Sequence, residues 1–179
     1  KIIHDLVEGH RNQTLAIVHY EKLISLEPEK IPVESLDDIL SQNIIEGLKK
    51  YGFSGFLPFQ EESIRSILQG NNSIISAPTG SGKTEAFIIP ILQKISEKPT
   101  EGVFVLLVYP LNALIDDQVS KITELIQKCQ LDDKISTYSI HGGQSSQYKD
   151  KIITESYKKT IILATNFDFI NYHLILQDK

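Results

Sequence analysis

Five consecutive residues, Gly80-Ser81-Gly82-Lys83-Thr84, combine what is needed to hold a chain of phosphates. Gly80 and Gly82 permit backbone conformations closed to residues with a β-carbon, so successive N–H groups can converge on one anion. Lys83 supplies a compact positive charge, and Thr84 offers a hydroxyl to a divalent cation such as Mg2+. The strict pattern G-x-x-x-x-G-K-[ST] asks for Gly where this chain has Ala77. At that entrance the backbone is still leaving the preceding element, so a methyl group there need not meet the ligand.

Such a loop works only between a strand and the positive end of a helix. Ser73 to Ala77 reads as a short apolar strand and Lys83 to Ile95 as the helix that follows. A Val- and Leu-rich strand (Val103 to Val108), a helix (Asn112 to Lys128), a strand (Lys134 to Ile140), a polar stretch and a further strand (Thr160 to Ala164) come next. Asn166 is placed to cap a last helix with Asp168 in its first turn. Strands alternating with helices predict an α/β fold: a P-loop NTPase with a parallel sheet and helices on both faces.

Before Tyr51 the pattern differs. The run "EPEKIP" marks a break, because neither proline fits inside a helix. From Ser35, a plausible N-cap, Leu36, Ile39, Leu40, Ile44, Ile45 and Leu48 recur at helical spacing until Gly52. Residues 1–50 therefore read as a mainly helical N-terminal accessory segment, and 51–179 as a partial nucleotide-binding lobe. A helix from Gln60 to Leu68, stopped by Gly70, opens that lobe.

With 179 residues, 41% apolar and 23% charged, the chain is ordinary for a globular domain. Its longest apolar run, Val103 to Tyr109, is too short to cross a bilayer, and a cytoplasmic setting without membrane contact is expected. A net charge of −5 argues against coating nucleic acid by bulk electrostatics, though not against gripping a strand through amides and hydroxyls. The single cysteine, Cys129, reads as a structural thiol at a helix end. The histidines at 4, 10, 19 and 173 have no metal-ligand spacing, and Lys149, Lys151, Lys158 and Lys159 read as a solvated face.

The form "APTGSGKTE" (Ala77 to Glu85) resembles motif I of superfamily 2 helicases of the DEAD/DEAH-like kind. Four further stretches follow that family's order. "GFSGFLPFQ" resembles its Q motif, which implies that Gln60 reads the adenine edge while Phe53 or Phe56 packs on the ring; a side-chain amide has the donor and acceptor this requires. Pro58 and Gln60 could equally only open the next helix. "VYPLNALIDDQ" resembles motif Ia, implying that Pro110 and Asn112 approach the phosphates of the tracked strand, with Gln118 structural or near the interface. "HGG" (His141 to Gly143) resembles the family's glycine pair, whose amides at Gly142 and Gly143 come close to a nucleic-acid backbone, although a Gly-Gly by itself is only a turn. "ATNFDF" stands where motif Ib does, with Thr165 as the phosphate-contacting hydroxyl. Its Thr-Asn form departs from the T-P-G-R of RNA-directed members and looks closer to a DNA-directed branch.

The resemblance implies a RecA-like lobe that binds ATP and Mg2+ through Thr79, Gly80, Ser81, Gly82, Lys83, Thr84 and Glu85. Lys83 and Thr84 would take the catalytic contacts, with nucleic acid, DNA before RNA, and a second RecA-like lobe as partners. No apolar strand in this sequence runs into the Asp-Glu pair that such enzymes use for hydrolysis. The chain is therefore expected to bind nucleotide without turning it over, as part of an ATP-dependent helicase or translocase. A P-loop kinase or other nucleotide-dependent transferase, and a non-catalytic scaffold on the same fold, are the alternatives.

Overall fold

A computed structural model describes residues 29–142 and 144–172. Three strands, β1 (Gly102–Tyr109), β2 (Ile135–Ile140) and β3 (Thr160–Asn166), form a wholly parallel sheet in the order β1-β3-β2. Six α-helices accompany them among the described residues: α1 (Gln42–Tyr51), α2 (Pro58–Leu68), α3 (Lys83–Glu97), α4 (Asn112–Lys128), α5 (Ser146–Ser156) and α6 (Phe167–Ile170).

The alternation of side chains along β3 explains why both faces of the sheet are covered. Ile162 and Ala164 enter the main core with Leu107, Ile135 and the buried face of α4 (Ile115, Ile122, Leu125, Ile126). Ile161 faces the other way and packs with Tyr138 and with Ile152 of α5 in a smaller cluster. A strand buried on both faces has to be apolar throughout, and "TIILAT" is nearly so.

Three expectations need correction. Ser73 to Ala77 is not a strand: residues 71–78 join neither helix nor sheet, and Ile74 is wholly exposed. A strand exists only through a ladder partner, and none of the described strands lies beside this segment. The nearest, β1, keeps a free edge with Val103, Phe104, Leu106 and Val108 about half exposed. A trough of about 500 Å³ separates the two, lined by Ile67, Ile75, Phe87, Leu106 and Val108 among others.

The helix expected from Ser35 is split into a 3-10 turn (Val33–Leu36) and α1. Ser35 is no cap, because its hydroxyl donates to Pro32 O (2.7 Å). The chain breaks at Ser41, whose N–H and hydroxyl both donate to Oε1 of the buried Gln93 (2.8 and 2.9 Å). The polar stretch after His141 contains α5. With only Ile152 buried, its apolar periodicity is weak, and its best signal is Ser145, whose hydroxyl accepts from Tyr148 N (3.3 Å).

Residues 33–51 share one core with the rest. Val33, Leu36, Leu40, Ile44, Ile45 and Leu48 lie in the same buried cluster as α3 and α4, so the change at Tyr51 is one of sequence rhythm and not of packing. Ile31 and Phe56 exchange backbone hydrogen bonds of 2.8 Å in each direction, and Arg65 of α2 reaches Asp38 (2.9 Å). Gly52 ends α1 with φ 89°, the left-handed residue expected there.

The backbones of α1 and the end of α4 approach closely. A β-carbon on Gly47 would lie 2.6 Å from Cys129 Cα and 2.8 Å from its N. Gly47→Ala should therefore cost about 2 kcal/mol in denaturant unfolding, because backbone cannot move aside as a side chain can. Burial pushes the Cys129 thiol from its ordinary 9.0 up to about 12. Its contribution to stability is fully present below about 9 and is lost as the pH climbs toward about 12. Alkylation of Cys129 at pH 8, followed by mass spectrometry, should accordingly track global unfolding.

Candidate nucleotide and nucleic-acid site

The glycine loop is held in shape by its own groups. Gly80 and Gly82 take φ of 78° and 83°, the left-handed region, and Gly82 sits at the N-cap of α3. Lys83 folds back so that Nζ donates to Ala77 O (2.6 Å) and Pro78 O (2.7 Å). Ser81 adds a hydroxyl bond to the same Pro78 carbonyl (2.8 Å). Thr79 and Gly80 are exposed, whereas Ser81 to Glu85 are half-buried. The charge a polyphosphate needs is thus at the mouth of a fifteen-residue helix, resting on carbonyls.

Gln60 both opens a helix and touches the loop. Its Oε1 accepts from Leu57 N (2.8 Å), the reach-back half of a capping box, and Nε2 donates to Gly82 O (2.9 Å). A β-carbon at Gly82 would meet that Nε2, so any larger residue would have to displace the Gln60 amide in addition to adopting a strained positive φ. Each amide atom keeps one further hydrogen-bonding position although the residue is buried. Phe53 and Phe56 lie 5.1 Å apart at 57°; Phe56 is fully buried, which leaves Phe53 as the ring able to meet a ligand.

Glu85 lies near Tyr51, whose hydroxyl is pushed up first by burial and then by the Glu85 carboxylate. Thr84 does not point at solvent unaided. Its Oγ1 donates to Oε1 of Gln118 on α4 (2.8 Å), a bond across 34 residues that the sequence alone did not disclose.

Because the strands are parallel, their carboxyl ends emerge on one rim, where open α/β sheets bind ligands. Pro110 and Asn112 are exposed there after β1. Asn112 Oδ1 accepts from Asn166 Nδ2 (2.6 Å), and Asn166 Oδ1 caps α6 through Phe169 N (2.7 Å), the capping role expected of it. His141, after β2, faces Asp116 of α4 at 3.9 Å, and Gly142 stands in open space. Gly143 and the histidines at 4, 10, 19 and 173 lie outside the described residues.

Thr165 is not on this rim surface. It is 1% exposed and its hydroxyl, like that of Tyr109, is buried without a partner. Of the lysines, Lys159 donates to Asp132 O (2.7 Å), and Lys149 and Lys151 stand 5.8 Å over the Phe169 and Tyr138 rings, so none of these three is gathered toward the loop.

A glycine loop of this shape at a helix mouth, with a parallel sheet whose carboxyl rim adjoins it, defines a P-loop domain of RecA-like architecture. The description "DEAD/DEAH box helicase" matches residues 57–179, and the chain belongs to that family. It is 32% identical to the ATP-dependent RNA helicase ROK1 of Kluyveromyces lactis over 154 residues, 82% of this chain and 26% of the relative. Over 116 residues it is 31% identical to the ATP-dependent RNA helicase DDX18 of Homo sapiens, 63% of this chain and 17% of that one. The crystal structure of the helicase MrfA bound to DNA and AMPPNP resembles it with a TM-score of 0.68 at 26% identity, covering 85% of this chain and 20% of that chain. The chain thus spans about a quarter or less of these proteins. Family membership sets aside the kinase and transferase alternatives. Among the described residues no helix is long and apolar enough to cross a membrane.

The bridge through Gln60 has a direct test. Gln60→Ala leaves Leu57 N and Gly82 O without their partner in a buried setting, and should lower stability by about 1 to 3 kcal/mol in urea unfolding.

Proposed function

We propose that this chain is the ATP-binding lobe of an ATP-dependent nucleic-acid helicase or translocase. The observation that carries the proposal is the conformation of the loop, with Gly80 and Gly82 left-handed and Lys83 turned into it. Backbone amides from Thr79 to Thr84 would take the β- and γ-phosphates in place of the carbonyl contacts, with Lys83 neutralising their charge. Gln60 would use its remaining donor and acceptor on the adenine edge, and Phe53 would pack against the ring.

Mg2+ fits the site through oxygen chemistry. It favours few protein ligands together with waters and phosphate oxygens, and Thr84 Oγ1 would be such a ligand. When bound it would neutralise charge on the phosphates. Glu85, in the first turn of α3, would border the same space.

The rim of Pro110, Asn112 and Gly142 would follow a strand backbone, and Gly143 extends that proposal by sequence alone. Thr165 would join it only if the carboxyl end of β3 opened. The Thr-Asn form of the β3 turn and the DNA-bound neighbour favour DNA; the names of the two curated relatives favour RNA. A second RecA-like lobe would close over nucleotide and strand, and a cytoplasmic site of action is in keeping with such a role.

Titration with a fluorescent ATP analogue and Mg2+ tests the nucleotide reading. Saturable binding is expected, weakened at least about tenfold in Lys83→Ala, since a charged hydrogen bond to phosphate contributes ~1.5 to 3 kcal/mol. Unchanged binding in that variant would overturn the reading, and no binding in the wild type would leave a scaffold. Fluorescence anisotropy with single-stranded DNA and RNA of one sequence assigns the strand, and Asn112→Asp should weaken whichever is bound by placing a carboxylate against its phosphates.

A further inference from the structure

Thr84 and Gln118 meet at the end of a polar chain that fixes which atom gives the proton. Lys121 Nζ holds Asp117 Oδ2 at 2.7 Å. The same carboxylate oxygen receives Gln118 Nε2 at 3.2 Å. A carboxylate accepts only, so the nitrogen of the Gln118 amide is committed to Asp117 and its oxygen is what faces Thr84. That oxygen also only accepts, so the Thr84 hydroxyl must donate, across 2.8 Å. The reversed amide would set Oε1 against the Asp117 carboxylate and spend a Thr84 lone pair on an N–H.

The consequence concerns the other side of the hydroxyl. With its proton directed to Gln118, Thr84 Oγ1 keeps both lone pairs for a ligand approaching from the loop. Thr84 lies in the first turn of α3, immediately after Lys83, whereas Gln118 belongs to α4, whose first residue Asn112 stands on the rim. Both Thr84 and Gln118 are half-buried, and the rotamer-rich glutamine is anchored at each end of its amide.

We propose that Gln118 is a positioning residue for the Thr84 hydroxyl: it accepts the hydroxyl's hydrogen bond and so turns the oxygen lone pairs toward the divalent cation of a bound nucleotide, with Asp117 and Lys121 fixing the amide. The inference rests on the nucleotide reading given above.

Groups that orient a metal ligand typically change metal affinity by about 10- to 100-fold when removed. The test is a Mg2+ titration of the chain saturated with a fluorescent ATP analogue, compared with analogue binding in EDTA. Gln118→Ala, and Gln118→Asn whose amide is too short to reach, should raise the Mg2+ midpoint about tenfold while analogue affinity in EDTA stays within about twofold. Gln118→Glu keeps an acceptor toward Thr84 but sets its second oxygen against the Asp117 carboxylate, so it is paired with Asp117→Asn, and the double variant should return the midpoint to within about threefold of wild type. A midpoint unchanged in both Gln118→Ala and Gln118→Asn overturns the inference, as does an equal loss of affinity with and without Mg2+, and either result leaves nucleotide binding itself intact. A wild-type chain that binds the analogue identically in Mg2+ and EDTA overturns the cation site and the inference with it.

Discussion

Everything in this fold hangs on β3. It is the central strand, pairing β1 on one side and β2 on the other over nearly its whole length. It is also the strand whose alternate side chains feed both hydrophobic clusters. A central parallel strand has no solvent face, so it can carry polar residues only at its ends. Thr160 uses that liberty, exchanging hydrogen bonds with Thr100 N (3.0 Å) and Thr100 O (2.6 Å). Asn166 uses it at the other end, tying the rim together through Asn112. The placement of the rim is therefore a by-product of how the core must be built.

The phosphate loop is attached to this frame indirectly. No described strand leads into it, and its ties run through side chains: Gln60 to Gly82, Thr84 to Gln118, and Lys83 to the loop's own carbonyls. The first two anchor the loop to α2 and α4, both of which pack in the main core. Residues 33–51 complete that packing, since α1 lies against α4 with Gly47 at the crossing. A segment that reads as an appendage in sequence is thus a wall of the core that supports the loop.

How much of this was legible beforehand depended on whether a residue's role is local. Gly80, Gly82, Gly52 and Gly70 announced left-handed turns, because only glycine takes φ > 0 cheaply, and all four have it. The Val- and Leu-rich β1 and the repeat of Ile and Leu along α4 announced buried elements by periodicity. Ser73 to Ala77 misled for a physical reason: its composition suits a strand, but strand formation is a property of a pair. The polar α5 was invisible because a helix needs only one buried face, and Ile152 nearly is that face. Gln118 and the Asn112–Asn166 pair lay beyond reach, since nothing in a one-dimensional pattern says which amide will face which hydroxyl. The same holds for Thr165, a residue type suited to phosphate whose burial follows from its place next to the last residue of a central strand.

The Lys83 ammonium has two carbonyl oxygen partners within the loop itself. If the loop takes phosphates as proposed, binding would be a substitution at the lysine, with one set of oxygens leaving as another enters, and only the difference between the sets would contribute there to affinity. A lone phosphate ion that offers Lys83 one oxygen in place of two carbonyls gains little from the exchange. A polyphosphate that also reached the amides of the loop and the Thr84 hydroxyl would add contacts to that exchange. On the proposed reading, discrimination between a long phosphate chain and the free ion would follow from these carbonyl contacts of the lysine, without any residue devoted to excluding the smaller anion.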